Sequence, residues 1–398
     1  MIIKSLLDTD FYKFTMGQFI WKYYPDILVS FSFKNRTENI NLLEYIDIKE
    51  LDDEIYNVRK LKFTFKELLF LKNQNIFDDE YLEFLSTLEL PPVYVYRDGK
   101  ELKIFTFGRW KHVVYWETFI LSIVNELYSK KVGKITNHSK SSYLEYGLEE
   151  LDYKINVIQL HPIKFSDFGT RRRFSCDWQR EVLEELKEKL PNTSFLGTSN
   201  VYFAKELGLK PIGTFAHELP MVICGTNPDD MKKWHRAMLN QWYILYGEPL
   251  SIALTDTYGT DFFFKEGIEF PEKWKGLRQD SGCPFKFAQK ALDFYRSKGI
   301  DSKEKIIVFS DGLDIDKIMK IEKEVKPHFK TIYGWGTNLT NDCGINPLSI
   351  VMKTIKADGH NLVKLSDNLA KAIGDEVTVN KYKKVFKYNN TFNQKVVY

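Results

Sequence analysis

Three consecutive arginines, Arg171 to Arg173, follow an apolar approach and a Gly-bearing turn in "FSDFGTRRRFS". Guanidinium groups held this close repel one another, so the stretch calls for an anion. Arginine forks suit phosphate or carboxylate, and Phe168 beside them offers a flat aromatic face. Further along, polar residues recur just past short apolar runs: Asp167, Ser199, His217, Asp256, Arg278, Asp280, Ser281, Asp311 and Asp314. Two small-residue turns, "SDG" at 310–312 and "GWGTN" at 334–338, carry Gly312 and the stretch Gly336, Thr337, Asn338. Backbone N–H groups in such turns cradle phosphate. Aspartates hold sugar hydroxyls or Mg2+, which bridges phosphates. The set suits a phosphorylated sugar with a divalent ion. Each member has a plainer reading. A lone "SDG" is a turn, a basic triplet a solvated face, and a histidine after an apolar run a structural imidazole. The inference rests on recurrence at one strand end after another.

Something must bring these residues together. The 398 residues exceed one small core; a barrel of roughly 200–250 residues with a second domain accounts for them. The net charge of +3 is too small to argue for nucleic acid or a membrane surface, so neither partner is expected. No apolar stretch is long enough for a membrane span, and "MIIKSLLDTD" is too short and too soon acidic for a signal peptide. A cytoplasmic protein is expected. Cys176, Cys224, Cys283 and Cys343 form no ligand spacing and read as reduced thiols.

Up to about residue 155 the elements are mixed. "ILVSFSFKNRT" reads as a strand, "FKELLFLKNQ" and "DDEYLEFLSTL" as short helices, "VYVYRDGKELKIFTFG" as a hairpin and "VVYWETFILSIVNELYSKK" as a long helix. From about 156 the pattern becomes serial. Apolar runs that include "PIKFSDFGTRRR", "PIGTFAHE", "SIALTDTYGTD", "GLRQDSG" and "KIIVFSDGLD" alternate with helical segments. Ser175 is the expected cap of a helix carrying Val182, Leu183, Leu186 and Leu190, stopped by Pro191; Asp314 is the expected cap of another. The fold class expected is α/β: an irregular TIM-like β/α barrel over 156–350, with its site at the C-terminal strand ends. An N-terminal α/β domain over 1–155 is expected to be completed by a C-terminal segment, 351–398, whose "KYKKVFKYNNTFNQKVVY" alternates.

The segments "DTDFYKFTMGQ", "FSDFGTRRRFS", "FLGTSNVYFAKELGLKPIGTFAHE", "GLRQDSG", "FSDGLD" and "YGWGTNL" resemble, in order and spacing, the nicotinate phosphoribosyltransferase family. The resemblance spans residue 8 to at least 340. It implies an enzyme joining nicotinate to phosphoribosyl pyrophosphate, with nicotinate mononucleotide and pyrophosphate as products. It also implies coupled ATP hydrolysis through a phosphohistidine, and a requirement for Mg2+. By that resemblance Phe168 and Tyr12 sandwich the pyridine ring, Tyr12 reaching in from the neighbouring subunit of a homodimer with shared sites. The plainer reading of Tyr12 is a core aromatic at a helix start capped by Asp10 or Thr9. Arg171 meets the ring substrate and Arg278 lies near the carboxylate and phosphates. Of Arg172 and Arg173, one is expected to reach pyrophosphate and one to face solvent.

The transfer itself needs no protein nucleophile: the pyridine nitrogen attacks C1 of the ribose as pyrophosphate leaves, and the protein positions and stabilises charge. Asp280 and Asp311 are the candidates for ribose hydroxyls and the Mg2+ shell. Gly312 and Gly336–Asn338 are those for the 5′-phosphate. His217 is the candidate phosphoryl acceptor, with Asp256 rather than the adjacent Glu218 fixing its other nitrogen. Rivals remain: a nicotinamide-using enzyme, a non-catalytic phosphoribosyl-binding homologue, and an aldolase-type barrel, for which no Schiff-base lysine shows. Ser199 bears on the first. By resemblance, nicotinamide enzymes carry at this position an aspartate that accepts from the amide, whereas a neutral serine does not repel nicotinate.

Overall fold

The computed structural model describes residues 1–135 and 140–394. It forms a mixed α/β fold of two compact units. The first comprises the described residues within Met1–Gly213 and Trp335–Lys353; the second comprises those within Thr214–Gly334 and from Thr354 onward. These units do not follow divisions at 155 and 350.

In the first unit, strands β1 (Leu28–Asn35), β2 (Val93–Asp98) and β3 (Glu101–Arg109) form an antiparallel sheet, with the start of a later strand beside β1. The β2–β3 register pairs Asp98 with Glu101 across the "RDGK" turn, as the hairpin pattern predicts. The long apolar segment is helical over Trp116–Ile135. Two parallel strands, β4 (Phe165–Asp167) and β5 (Phe195–Thr198), end the unit's core. Between them the helix Cys176–Lys189 forms as its spacing requires. Ser175 accepts from Trp178 N, Val182, Leu183 and Leu186 are buried, and the helix stops before Pro191.

In the second unit, β6 (Ile252–Leu254), β7 (Gly276–Gln279), β8 (Ile306–Phe309) and β9 (Lys330–Trp335) run parallel in sequence order, the last residue of β9 grouping with the first unit. Asp314 caps the helix Ile315–Val325 by accepting from Lys317 N. Strand β10 (Ile350–Ala357) leaves the first unit after Lys353, and β11 (His360–Asn361) pairs with its end.

Three expectations need correction. Among the described residues neither unit closes its parallel strands into a ring, so the barrel is not formed. The run "PIGTFAHE" makes only one isolated bridge, Thr198 to Pro211, because Pro211 has no N–H to extend a ladder. The C-terminal segment does not complete the N-terminal domain beyond Lys353. "KYKKV" lies in the helix Glu376–Val385 of the second unit, and the last four residues lie outside those described. This helix docks through Tyr382 and Phe386, the latter stacked on Tyr258 at 4.1 Å. All four cysteines are free thiols. Among the described residues no helix is long and apolar enough to cross a membrane.

His235 sits in this second core among Tyr258, Phe262 and Phe263, its Nδ1 3.1 Å from Gly267 O. Burial pushes the imidazole down to about 4 from 6.5. The unfolded ring therefore takes up a proton that the folded ring refuses, and the stability present above pH 6.5 is lost as pH falls towards 4. Replacing His235 by Gln should flatten the fall of the urea midpoint over that window by up to one proton, about 1.4 kcal/mol per pH unit. An unchanged acid slope in the variant would count against a neutral buried ring.

Candidate active site

The first unit gathers "DTD", "FGTRRR" and "GTSN" into one buried network. Arg173 is fully buried and donates to both oxygens of Asp8, at 2.6 and 2.8 Å. Asn200 donates to the same Asp8 at 2.8 Å. Gln179 accepts from Arg173 and donates to Asp167, which also accepts from Gly169 N and Thr198 Oγ1. Burial raises the Asp167 carboxyl to about 6. Arg172 is also buried and donates to Leu348 O at 3.2 Å. Neither Arg172 nor Arg173 faces solvent, which corrects the expectation for this pair: the first unit holds both guanidiniums inside its own core.

Arg171 is the more exposed member, with 34% of its side chain accessible. It approaches Glu117, 3.7 Å from Oε1. The same buried carboxylate takes Lys13 at 2.8 Å and Lys353 at 2.7 Å, and accepts from Tyr12 Oη at 3.2 Å. Burial alone would raise Glu117, but Lys13, Lys353 and Arg171 hold it well below the usual carboxylate range. Burial, reinforced by Glu117, raises the Tyr12 phenol, which stays neutral. Tyr12 thus shares Glu117 with Arg171 inside one chain, without a second subunit.

Asp10 lies beside this group. Its carboxylate accepts from Ser199 Oγ at 2.6 Å and from Thr118 Oγ1 at 3.2 Å. Burial raises it, against the opposing pull of Arg171. Neither Asp10 nor Thr9 caps the helix Tyr12–Tyr23; Phe11 occupies the cap position without a side-chain bond. Phe168 is half-buried, and its N–H donates to Trp335 O at 2.8 Å. A Cβ on Gly336 would stand 3.3 Å from Phe168 O, so this turn must pass close to the end of β4. Thr337 begins a short helix, Thr337–Thr340, whose first N–H groups have no intrahelical partner. Asn338 donates to Asp342 and leaves its Oδ1 buried without a hydrogen bond.

The second unit holds a separate cluster at three adjacent parallel strand ends, a common place for ligands in α/β proteins. Asp256 follows β6, Asp280 follows β7, and Ser310 and Asp311 follow β8. His217 comes from the start of the helix Glu218–Gly225, not from a strand. Its Nε2 is 2.9 Å from Asp280 Oδ2 and its Nδ1 is 2.9 Å from Thr257 Oγ1. Asp256 is not the orienting partner expected. Its Oδ1 stands 3.7 Å from Nε2 and accepts no hydrogen bond, while Oδ2 accepts from Ser281 Oγ.

Burial and the nearby Lys364 push His217 down to about 4, outweighing Asp256 and Asp280, so the ring is neutral at pH 7. Burial alone would raise Asp280, but the His217 hydrogen bond, Arg278 and Lys364 hold it well below the usual range, so it is the ionised partner. Arg278 is half-buried, and its Nε has no hydrogen bond. Asp311 is paired with Lys371, and Lys317 donates to the carbonyls of Asp311 and Gly312. Gly312 adopts φ +52°, the left-handed turn its position demands. The ligand atoms of His217, Asp256 and Asp280 lie within 4.8 Å of one another. Asp311 is not among them.

The sequence did not single out Asp10, Lys13, Glu117 and Lys353 in the first unit, or Thr257, Lys364 and Lys371 in the second. Lysines and glutamates that look like surface charge carry no local mark of burial; only Asp10, inside the quoted "DTDFYK", stood in a motif.

A neutral imidazole between carboxylates at parallel strand ends, together with a cation-rich buried cluster in the other unit, defines an α/β enzyme built to handle anions. The chain belongs to the nicotinate phosphoribosyltransferase (NAPRTase) family. The family's model matches residues 163–390 and that of its N-terminal domain matches residues 7–125. Among solved structures it is similar to nicotinate phosphoribosyltransferase from Porphyromonas gingivalis, with 32% identity and a TM-score of 0.89, covering 97% of this chain and all of that one. The Vibrio cholerae enzyme gives 31% and 0.87, covering 100% and 96%. A putative nicotinate phosphoribosyltransferase of Saccharomyces cerevisiae gives 30% and 0.85, covering 98% and 99%.

The triplet's division of labour can be measured. Arg173→Leu strands Asp8 in the core and should cost about 3–5 kcal/mol in urea unfolding. Arg171→Leu, at the accessible end, should change stability by less than about 1 kcal/mol. Equal losses would contradict the split.

Proposed function

We propose that the chain is a nicotinate phosphoribosyltransferase of NAD biosynthesis, forming nicotinate mononucleotide and pyrophosphate from nicotinate and phosphoribosyl pyrophosphate, coupled to ATP hydrolysis through phosphorylation of His217. The observation that carries the choice of nicotinate is the charge around Glu117. Even with Asp10 ionised, the three cations Lys13, Lys353 and Arg171 face two carboxylates. The excess favours an anionic ring substrate over a neutral amide. Arg171 holds the substrate carboxylate, and Phe168 and Tyr12 offer aromatic faces to the pyridine.

Arg278 and the turns at Gly312 and Gly336–Asn338 hold the phosphates in this reading, and Asp280 and Asp311 meet ribose hydroxyls. The donor set suits Mg2+ in part. The hard ion takes oxygen ligands, and Asp256 Oδ1 is a buried acceptor without a hydrogen bond. Asp256 and Asp280 would hold it, while Asp311 is already paired with Lys371. When bound, the ion neutralises charge on phosphate oxygens.

With Nε2–H donated to Asp280, the lone pair of His217 resides on Nδ1, where Thr257 Oγ1 now donates. Once that hydroxyl turns away, Nδ1 attacks the γ-phosphorus of ATP, the bond to the β-phosphate oxygen breaks, and ADP departs with the electron pair. Asp280 balances the cationic ring that results. Water later takes the phosphoryl group. Assembly as a homodimer with shared sites belongs to the same reading and rests on the family resemblance.

The test is an assay of nicotinate against nicotinamide with phosphoribosyl pyrophosphate and Mg2+, with and without ATP. Nicotinate should react and nicotinamide should not; equal use of both would sink the assignment. His217→Ala should lose ATP stimulation and any acid-labile phosphoenzyme while slow ATP-independent synthesis persists. A phosphoenzyme surviving in that variant would move the acceptor elsewhere.

Ser199→Asp sets a second carboxylate against Asp10 in the cation cluster. It should raise the KM for nicotinate by about tenfold, equivalent to ~1.4 kcal/mol. Unchanged nicotinate kinetics would remove Ser199 from substrate selection.

A further inference from the structure

The second unit poses a positioning problem that its strands do not solve. Asp256 and Thr257 sit on the loop after β6, and Asp280 on the loop after β7, yet all three must meet one imidazole. A segment from the C-terminal part, Lys364–Lys371, runs against both loops. Leu365 N–H donates to Thr257 O at 2.8 Å. Ser366 Oγ lies 2.8 Å from Ser281 Oγ, and Asp367 N–H donates to the same Ser281 Oγ at 2.9 Å. Ser281 is thereby saturated: it accepts twice and spends its own proton on Asp256 Oδ2. The Asp367 carboxylate turns the other way and accepts from both Thr260 N, at 2.9 Å, and Thr260 Oγ1.

The fit leaves no room. Gly282, at φ +81°, would bring a Cβ to 3.1 Å from Asp367 Cβ, and Gly259, at φ +95°, would bring one to 3.0 Å from Tyr388. Ser366 itself is fully buried at φ +65°, a left-handed conformation that a non-glycine residue keeps only where its surroundings over-determine it. They do so here. Tyr388 Oη donates to Ser366 O at 2.7 Å, and Asn390 Nδ2 to Asp367 O at 2.6 Å. Lys371 closes the far end by donating to Asp280 O at 2.9 Å.

We propose that Asp367 is a positioning residue for His217: by gripping Thr260 on one loop and Ser281 on the other, it fixes the separation of Asp256 and Asp280 across the imidazole. The kinetic consequence rests on the function proposed above; the positioning itself does not. The role is indirect, since Asp367 bonds to neither ring nitrogen.

The test uses the full-length protein with Asp367→Ala, Asp367→Asn and Thr260→Val. The first readout is the His217 ring signal in 1H–13C NMR, assigned by its loss in His217→Gln. It should move in Asp367→Ala and Thr260→Val and stay near its wild-type place in Asp367→Asn, which can still accept from Thr260 N and bond Thr260 Oγ1. The second readout is steady-state kinetics. Asp367→Ala should lower kcat by about tenfold or more, with the KM for nicotinate within about twofold of wild type, because the pyridine cluster belongs to the other unit. Asp367→Asn should recover most of kcat. An unmoved His217 signal in Asp367→Ala overturns the proposal whatever the activity. So does an equal loss in the Asn and Ala variants. Should Asp367→Ala fail to fold, a wild-type His217 signal in Thr260→Val overturns it. A wild-type protein that makes no nicotinate mononucleotide, but whose His217 signal moves as described, overturns the functional reading and leaves the clamp supported.

Discussion

A buried guanidinium closed on a buried carboxylate underlies the first unit. Arg173 and Asp8 are both removed from water, which is expensive for each alone and tolerable only with near-ideal geometry and every remaining polar atom engaged. The bidentate bond supplies the geometry, and Asn200 and Gln179 supply further partners. The pair ties the N-terminal "DTD" to the turn after β4 and the helix start after β5. Asp10, two residues from Asp8, is thereby placed against Ser199, and Arg171, two residues from Arg173, against Glu117. The arginine triplet is divided by environment. Arg173 is structural, Arg172 is held by a backbone carbonyl, and Arg171 alone of the three keeps substantial access to solvent.

Glu117 plays a corresponding part for charge. One buried carboxylate collects two lysines, an arginine and a phenol. Without it, three cations would repel in a low-dielectric interior; with it, they are held together and an excess of positive charge is left for a ligand. Preorganising that excess means a bound carboxylate need not reorganise its surroundings, the condition under which electrostatics favours binding most.

The second unit solves a different problem, keeping an imidazole neutral beside carboxylates. Burial disfavours the charged ring and Lys364 reinforces it, while Asp280 is kept ionised by the hydrogen bond and cations around it. The carboxylates come from parallel strand ends, but their spacing depends on loops. Those loops are braced by a segment that enters more than 80 residues later, held down in turn by Tyr382 and Phe386 against Tyr258. The chemistry is local to the strands and its precision is not.

The sequence by itself determined the elements that local rules control. The Ser175 and Asp314 caps, the hairpin at 93–109 and the strands after which Asp167, Asp256, Asp280 and Asp311 stand were legible, because caps, turns and periodicity act within a few residues. The motif order also identified the family. Tertiary structure alone decided which charges are inside. Lys13, Lys353 and Glu117 look like surface residues until packing removes them from water, and Asp256 looked like the orienter of His217 until Thr257 and Asp280 proved to hold its two nitrogens. It also decided that "PIGTFAHE" would not be a strand and that the C-terminal alternation would fold as a helix on the second unit. Pairing partners and burial are set by residues distant in sequence, and the chain's local pattern carries no record of them.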